Sequence, residues 1–118
     1  MLAKPLRWDE DKKLYYPCEP VQATHVELRM PGPSPFRLLP IILKGNRAGT
    51  NCWSWNGDTE KPTLKPSIRT RATVGGEKTV CHTWINDGKV QFLDDCTHEL
   101  AGQTWPLREV VDSMWSCE

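Results

Sequence analysis

Alternating apolar and polar residues predict a chain built mainly of short β-strands. In segment 23–30, Val26, Leu28 and Met30 alternate with polar residues, which is the period of a half-buried strand. Further strands are predicted over residues 37–44, a short apolar run, and over 52–56, 67–74, 79–85 and 89–94. Pro40 confines the first of these to a sheet edge or a bulge, because proline lacks an amide donor. The pattern therefore predicts about six short strands.

The tripeptide Asn-Asp-Gly at 86–88 predicts a β-hairpin between the last two segments. A two-residue turn would pair Ile85 with Val90, whereas a three-residue turn ending in a glycine bulge would pair Ile85 with Lys89. The two registers place opposite sets of side chains on the core face. We favour the three-residue turn because it separates apolar from polar residues better. Its apolar face carries Val80, His82, Trp84, Val90, Phe92, Asp94 and Cys96, whereas the two-residue turn groups Val80, His82 and Trp84 with Gln91, Leu93 and Asp95.

The C-terminal segment has a different period, which predicts an amphipathic helix over residues 107–116. The charged residues 1–17 predict an irregular lead-in or, alternatively, an edge strand. Together these patterns predict one all-β or β-dominated small domain, residues 1–118, with an antiparallel sheet or a partly open barrel and one C-terminal helix. The helical stripe consists of Leu107, Val110, Val111, Met114 and Trp115.

Composition narrows the classes of function. The 118 residues include 15 basic and 15 acidic side chains, so no net field attracts nucleic acid or an anionic membrane. No apolar run reaches the roughly 20 residues of a membrane span, and the N-terminus lacks the apolar core of a signal peptide. We therefore expect a cytoplasmic protein whose five cysteines are free thiols or metal ligands rather than disulfides.

Cysteine and histidine residues concentrate near the predicted hairpin. Cys96 and His98 are two residues apart and point the same way along a strand, and His82 faces them in the favoured register. Thiolate and imidazole are good zinc ligands, and Cys18 or His25 could supply a fourth. We therefore expect His82 and His98 to converge, and we predict a zinc site formed by Cys18, His82, Cys96 and His98. The alternative is a buried cysteine with two histidines hydrogen-bonded to neighbouring aspartates.

A polar loop follows the two tryptophans of segment 52–56. Asn-Gly-Asp at 56–58 and two prolines make this loop rigid. The alternative to a ligand site is a bare turn, because turns require the same residue types. As a ligand site, we predict a polar binding pocket formed by Trp55, Asn56, Asp58, Ser67, Asp95 and Gln103.

Motifs of known catalytic families are sparse. The chain has no G-x-S-x-G, no phosphate-binding glycine loop and no H-E-x-x-H. Cys81 and His82 are neighbours on a predicted strand and point to opposite faces, so they cannot form a nucleophile–base pair. A catalytic Cys96 with His82 as its base remains an alternative.

Two ordered motifs resemble a family of small proteins of tailed phages and prophages, catalogued as a domain of unknown function and often labelled ammonia monooxygenase. The motifs are WSWNGDTEKPTLKPSI and VCHTWINDGKVQFLDDCTHELAGQTWPL, and the resemblance covers residues 52–107. The family signature falls on Trp55, Asn56, Gly57, Pro62, Thr63, Pro66, Ser67, His82, Asp95, His98, Gly102 and Gln103.

This resemblance implies a phage or prophage origin and action in the cytoplasm of an infected bacterium. It also implies a metal or polar site around His82, Asp95 and His98. Many members open with a C-P-x-C knuckle, whereas this chain has Cys18 and no second cysteine there. The monooxygenase label finds no support in these residues, because that enzyme is a large copper-dependent membrane complex.

Two functions from different classes follow. We expect an accessory binding module, stapled by metal, that acts on a host or phage protein and thereby against host defence. The alternative is a small metal-dependent hydrolase or lyase, in which the cation activates water against a small polar substrate. The sparse catalytic motifs favour the binding module. The number of protein ligands on the metal would distinguish the binding module from the enzyme, because structural zinc has four protein ligands and catalytic zinc keeps one position open.

Overall fold

One mixed β-sheet organises the part of the chain that the computed structural model describes, residues 1–33, 35–43 and 52–110. The strands are β1 (Ala3–Asp9), β2 (Leu14–Pro17), β3 (His25–Arg29), β4 (Phe36–Ile42), β5 (Trp53–Trp55), β6 (Leu64–Val74), β7 (Glu77–Asn86), β8 (Lys89–Phe92) and β9 (Thr104–Pro106), with a 3-10 turn at Pro20–Gln22. They lie in the order β2-β1-β3-β4-β5-β6-β7-β8-β9, and β4–β5 is the parallel pair. The β-dominated prediction is confirmed, with nine strands in these ranges rather than six.

A single hydrophobic cluster links strands from both ends of the sheet. Ala3 of β1, Leu28 of β3 and Phe92 of β8 all belong to it, and each is at most 1% exposed. Along β7 the buried residues alternate with less buried ones, as the period of a strand requires. Elements that are far apart in sequence therefore share one core.

The N-terminal segment is a β-hairpin, so the prediction of an irregular lead-in over residues 1–17 is wrong, whereas the edge-strand alternative agrees with β2, which lies at one end of the sheet. β1 lies between β2 and β3. The charged run is the turn of this hairpin, because Asp9 Oδ1 accepts the N–H groups of Asp11 and Lys12, each at 3.0 Å. Trp8 and Tyr15 then contact each other across the two strands, with ring centroids 4.8 Å apart.

The Asn-Asp-Gly turn takes its two-residue form. Ile85 pairs with Val90, so the favoured three-residue register is wrong and its alternative is confirmed. Asp87 has a φ of 50° and Gly88 a φ of 78°, and a type I′ turn requires positive φ at both central residues. His82 consequently lies on the face opposite the buried side chains of β7.

The described start of the predicted C-terminal helix is not helical. Leu107 N–H donates to Gly88 O at 2.9 Å, and Val110 N–H donates to Met1 O at 2.9 Å. Arg108 forms an isolated antiparallel β-bridge with Arg29, and residues 107–110 contain no helical turn. The helix prediction is wrong for these residues, and the rest of the predicted helix lies outside the described residues. Within the described ranges, no helix has the length and apolar character needed to cross a membrane.

Pro40 lies in β4, which has a neighbouring strand on each side. Of the two placements predicted for this proline, a sheet edge or a bulge, the sheet edge is therefore wrong. The ladder with β5 involves only Ile41 and Ile42. The missing amide of Pro40 thus falls beyond that short ladder.

Candidate active site

A bulge in β6 positions Ser67. Between two regular pairs of the β6–β7 ladder, the three residues 65–67 lie opposite the single residue Trp84. Bulges re-aim side chains and occur often beside functional sites. Trp53 of β5 donates its indole N–H to the carbonyl oxygen of Ser67 at 3.4 Å. Ser67 is therefore contacted from β5 at the point where the ladder with β7 is interrupted.

His82 of β7 reaches Ser67 across this pair of strands. Ser67 Oγ lies 2.8 Å from His82 Nε2, which is the length of a good hydrogen bond. The His82 side chain is largely buried, with 19% of its surface exposed. The contact therefore joins a hydroxyl to a largely buried imidazole.

Asp95 binds the other side of the imidazole from the turn that follows β8. Its Oδ2 and Oδ1 atoms lie 2.9 and 3.1 Å from His82 Nδ1. We call residues 93–97 the acid turn. It is attached to β7 because Leu93 N–H donates to His82 O at 2.9 Å and Thr97 N–H donates to Val80 O at 3.0 Å.

Together Ser67, His82 and Asp95 have the geometry of a Ser–His–Asp triad. The Asp95 carboxylate accepts the proton on Nδ1, which leaves the Nε2 lone pair to accept from the Ser67 hydroxyl. In this tautomer a histidine can remove a proton from serine as the serine attacks a carbonyl carbon. The arrangement is thus chemically suited to acyl transfer.

A second group of side chains lies across β7 from the imidazole. The ligand atoms of Cys81, Cys96 and His98 lie within 4.8 Å of one another, close enough to bind a metal ion. We call these three residues the soft-ligand cluster. Cys81 and His82 are adjacent on β7 and point to opposite faces, so the cluster and the triad share one strand.

Cys96 connects the soft-ligand cluster to the triad. Its Sγ accepts the His82 N–H, and its thiol donates to His82 O, both at 3.2 Å. Burial raises the pKa of the Cys81 thiol, and the nearby Arg37 guanidinium opposes this increase.

The predicted zinc ligands are divided between different places. Cys96 and His98 belong to the soft-ligand cluster, and within the described ranges Cys81 is its third member instead of Cys18 or His82. His82 bonds to the triad partners through both ring nitrogens. His25 lies apart from these groups on β3, where burial lowers the pKa of its imidazole.

Cys18 follows β2 at the N-terminal hairpin. Its N–H donates to Pro5 O at 3.3 Å. Burial raises the pKa of the Cys18 thiol, although Arg7 opposes that increase. Cys18 is therefore a half-buried free thiol beside β1.

Three residues of the predicted pocket form hydrogen bonds within their own loop. Asn56 Oδ1 accepts the Asp58 N–H at 3.2 Å. Asp58 Oδ1 accepts the N–H groups of Lys61 and Glu60 at 3.0 and 2.8 Å, and these two bonds lower the pKa of the Asp58 carboxyl. Trp55 is buried and donates its indole N–H to Asp58 O at 3.3 Å. These contacts match the alternative interpretation of the segment as a turn.

The remaining residues of the predicted pocket separate into two sets. Ser67 and Asp95 both contact His82. Gln103 lies before β9, where its Oε1 accepts the indole N–H of Trp105 at 2.9 Å. The structure thus brings two of the six predicted pocket residues into the triad.

Sequence reasoning missed the triad because it used the wrong register. The two-residue turn places His82 and Asp95 on one face of the hairpin, and that signal was available in the Asp87-Gly88 pair. Ser67 is brought to His82 by the pairing of β6 with β7 and by the bulge. Nothing in the residues around Ser67 predicts that contact.

Comparison with known families points to the same region. The model of the family described as "Bacterial ubiquitination-like system serine protease (BubE)" matches residues 38–93, just under half of the chain. The matched segment includes Ser67 and His82, and it ends two residues before Asp95. No curated protein and no solved structure matches the chain.

Proposed function

We propose that this protein is a serine hydrolase with Ser67 as nucleophile, His82 as general base and Asp95 as the residue that orients the imidazole. The observation that carries the proposal is the hydrogen-bonded line from Asp95 through His82 to Ser67, with distances of 2.9 and 2.8 Å. The similarity of residues 38–93 to a family described as a serine protease supports the same chemistry.

The proposed reaction proceeds in two acyl-transfer steps. Ser67 Oγ attacks the substrate carbonyl while His82 Nε2 takes the hydroxyl proton, and His82 then gives that proton to the leaving group. Water attacks the resulting acyl-serine with the same histidine as base, which releases the acid and restores the serine. Asp95 holds Nδ1–H throughout and stabilises the imidazolium that forms.

For the substrate, we propose an amide bond in a protein modifier or in its conjugates. This part of the proposal depends on the family description, which names a ubiquitination-like system and a protease. The sequence-based alternative was a metal-dependent hydrolase or lyase. The proposed enzyme is likewise a hydrolase, but its nucleophile is a serine instead of a metal-activated water.

A fluorophosphonate probe tests the nucleophile directly, because such probes phosphonylate activated serines and leave ordinary hydroxyls unmodified. We expect one adduct per chain, located at Ser67 by peptide mass spectrometry. Ser67→Ala and His82→Ala should both abolish labelling. The first removes the nucleophile and the second removes its base.

Ser54 provides a matched control. It lies on the adjacent strand β5 and is also partly buried, but the described contacts give it no histidine partner. Ser54→Ala should label like the unmodified protein. Equal labelling of Ser67→Ala, or no labelling of the folded wild-type chain, would contradict the hydrolase proposal.

The binding module predicted from the sequence stays a prediction, as does its phage origin. Trp105 on edge strand β9 is 44% exposed, and aromatic residues of this kind are enriched in protein interfaces. A host or phage protein bound at that edge would be a partner or a substrate of the proposed hydrolase.

For the cofactor, we propose zinc at the soft-ligand cluster in place of the four-residue site predicted from the sequence. Two buried cysteines and one histidine provide the thiolate and imidazole groups that zinc binds. The proposed ion lies across β7 from the triad imidazole and takes no part in acyl transfer.

A further inference from the structure

We infer that a zinc-class cation at the soft-ligand cluster fixes the acid turn and thereby holds Asp95 against His82; this inference rests on the triad proposed above. The ligand atoms of the cluster already lie within 4.8 Å of one another. Around a tetrahedral zinc with bonds of about 2.1 and 2.3 Å, ligand atoms lie roughly 3.5 to 3.8 Å apart. Binding therefore requires a contraction of at most about 1.3 Å between these ligand atoms.

Cys96 gives the cluster its mechanical link to the triad. It directly follows Asp95, and its Sγ lies 3.2 Å from both the N and the O atoms of His82. A cation that joins Cys96 to Cys81 would attach the acid turn to β7 by metal bonds. Without the cation, the contacts between the acid turn and β7 that the structure describes are hydrogen bonds. Since Asp95 itself is 52% exposed, its position depends on how firmly this turn is held.

His98 contributes an independent observation. Its Nδ1 accepts the Leu100 N–H at a long 3.3 Å. A neutral ring in that tautomer carries its proton on Nε2, and the buried Nε2 has no hydrogen-bond partner among the described residues. Buried polar atoms without partners are unusual in folded proteins. Ligation at Nε2 would give this buried atom a partner, and the ring proton would then lie on Nδ1 in place of the long contact from Leu100.

Cobalt(II) titration tests the site without reference to activity. The full chain is stripped with chelator under reducing conditions and titrated with Co²⁺, which adopts zinc geometries and absorbs when thiolates bind it. We expect one equivalent with thiolate-to-cobalt bands, displaced by Zn²⁺. Cys81→Ser, Cys96→Ser and His98→Asn should each weaken binding at least about tenfold, since even outer-shell changes cost that much.

Cys52 supplies the matched control for this titration. It is a partly buried free cysteine that precedes β5, and it lies outside the soft-ligand cluster. Cys52→Ser should bind Co²⁺ like wild type. A wild-type chain without thiolate bands, or bands unaffected by Cys81→Ser and Cys96→Ser, would overturn the inference.

Amide NMR signals test the effect on the acid turn. Zn²⁺ should shift the signals of His82 and Thr97, while the Gly75–Gly76 turn at the far end of β6 and β7 stays unchanged. Binding that leaves His82 and Thr97 unshifted would overturn the inference. Because the wild-type chain is compared with and without zinc, a variant that fails to fold does not affect this result.

Fluorophosphonate labelling separates this inference from the proposed hydrolase. We expect zinc to increase the labelling rate of Ser67 several-fold. Amide shifts without any labelling would contradict the hydrolase and leave the metal inference standing. Labelling that is equally fast with and without zinc would instead overturn the claim that the cation holds Asp95 in place.

Discussion

Asp95 is the most exposed member of the triad, so its role can be tested with little risk to the fold. Asp95→Asn keeps the shape of the side chain but removes the charge that fixes the His82 tautomer. In a triad of this kind we expect a loss of roughly 10³- to 10⁴-fold in kcat/KM. The free energy of unfolding should change by about 0.5 kcal/mol or less, as for other exposed sites. Ester hydrolysis and chemical denaturation provide the two measurements.

Asp94 serves as the control because it is the adjacent, exposed carboxylate. Asp94→Asn changes net charge by the same amount and should leave kcat/KM within about twofold, since surface changes away from a site have small effects. Equal losses in the two variants would indicate a general charge effect and would argue against the triad.

At the scale of elements, the β7–β8 turn has a conformation that few residues adopt. Gly88 has a φ of 78°, and an added Cβ would lie 3.2 Å from Leu2 Cδ1 and 3.3 Å from Glu60 O. We expect Gly88→Ala to destabilise the fold by about 1–3 kcal/mol, through backbone strain and this crowding. Chemical denaturation measures the change.

A substitution at Gly76 measures the cost of backbone strain without the cost of steric crowding. Its φ is 85°, but an added Cβ would meet nothing within 4 Å. Gly76→Ala should therefore cost less than Gly88→Ala, because it carries the strain alone. If both substitutions cost the same, the packing of Leu2 and Glu60 against the turn has no energetic role.

This turn also shows how far the sequence predicts the elements. Both strands of the hairpin were predicted, but their register was decided by counting apolar residues on each face. That count fails because Thr83 is 1% exposed in the core, whereas Trp84 lies on the outer face. The turn geometry, set by Asp87 and Gly88, outweighs the hydrophobic pattern. Similarly, the Leu107–Val110 spacing resembles a helix, yet Arg108 between them forms an antiparallel β-bridge with Arg29.

At the scale of the whole molecule, the β-dominated class follows from local patterns, but the site does not. Ser67, His82 and Asp95 come from a bulge, a strand and a turn, and the β6–β7 and β7–β8 pairings bring them together. All three lie within the resemblance to the phage family, which implies a metal or polar site around His82 and Asp95 but no serine nucleophile. The local pattern of apolar and polar residues does not specify which distant strands pair with each other. The site depends on that pairing, because residues in contact can be far apart along the chain.

The N-terminal hairpin allows a test of whether the sheet is one cooperative unit. Leu6 in β1 is completely buried, and Leu6→Ala should lower the free energy of unfolding by about 2–5 kcal/mol. Leu14 on edge strand β2 is 40% exposed, so Leu14→Ala should change it by about 0.5 kcal/mol or less. At the start of the hairpin, Leu2 N–H and Ala3 N–H both donate to Thr59 O, at 2.7 and 3.1 Å.

These bonds tie β1 to the loop before β6, the strand that carries Ser67. In Leu6→Ala, tryptophan fluorescence and Ser67 labelling should therefore be lost at the same, lower denaturant concentration, as in a two-state transition. Loss of fluorescence at low denaturant with labelling retained would mean that the hairpin unfolds separately. In that case β5–β8 and the acid turn would be sufficient to hold the triad together. The shared core would then not unfold as a single cooperative unit.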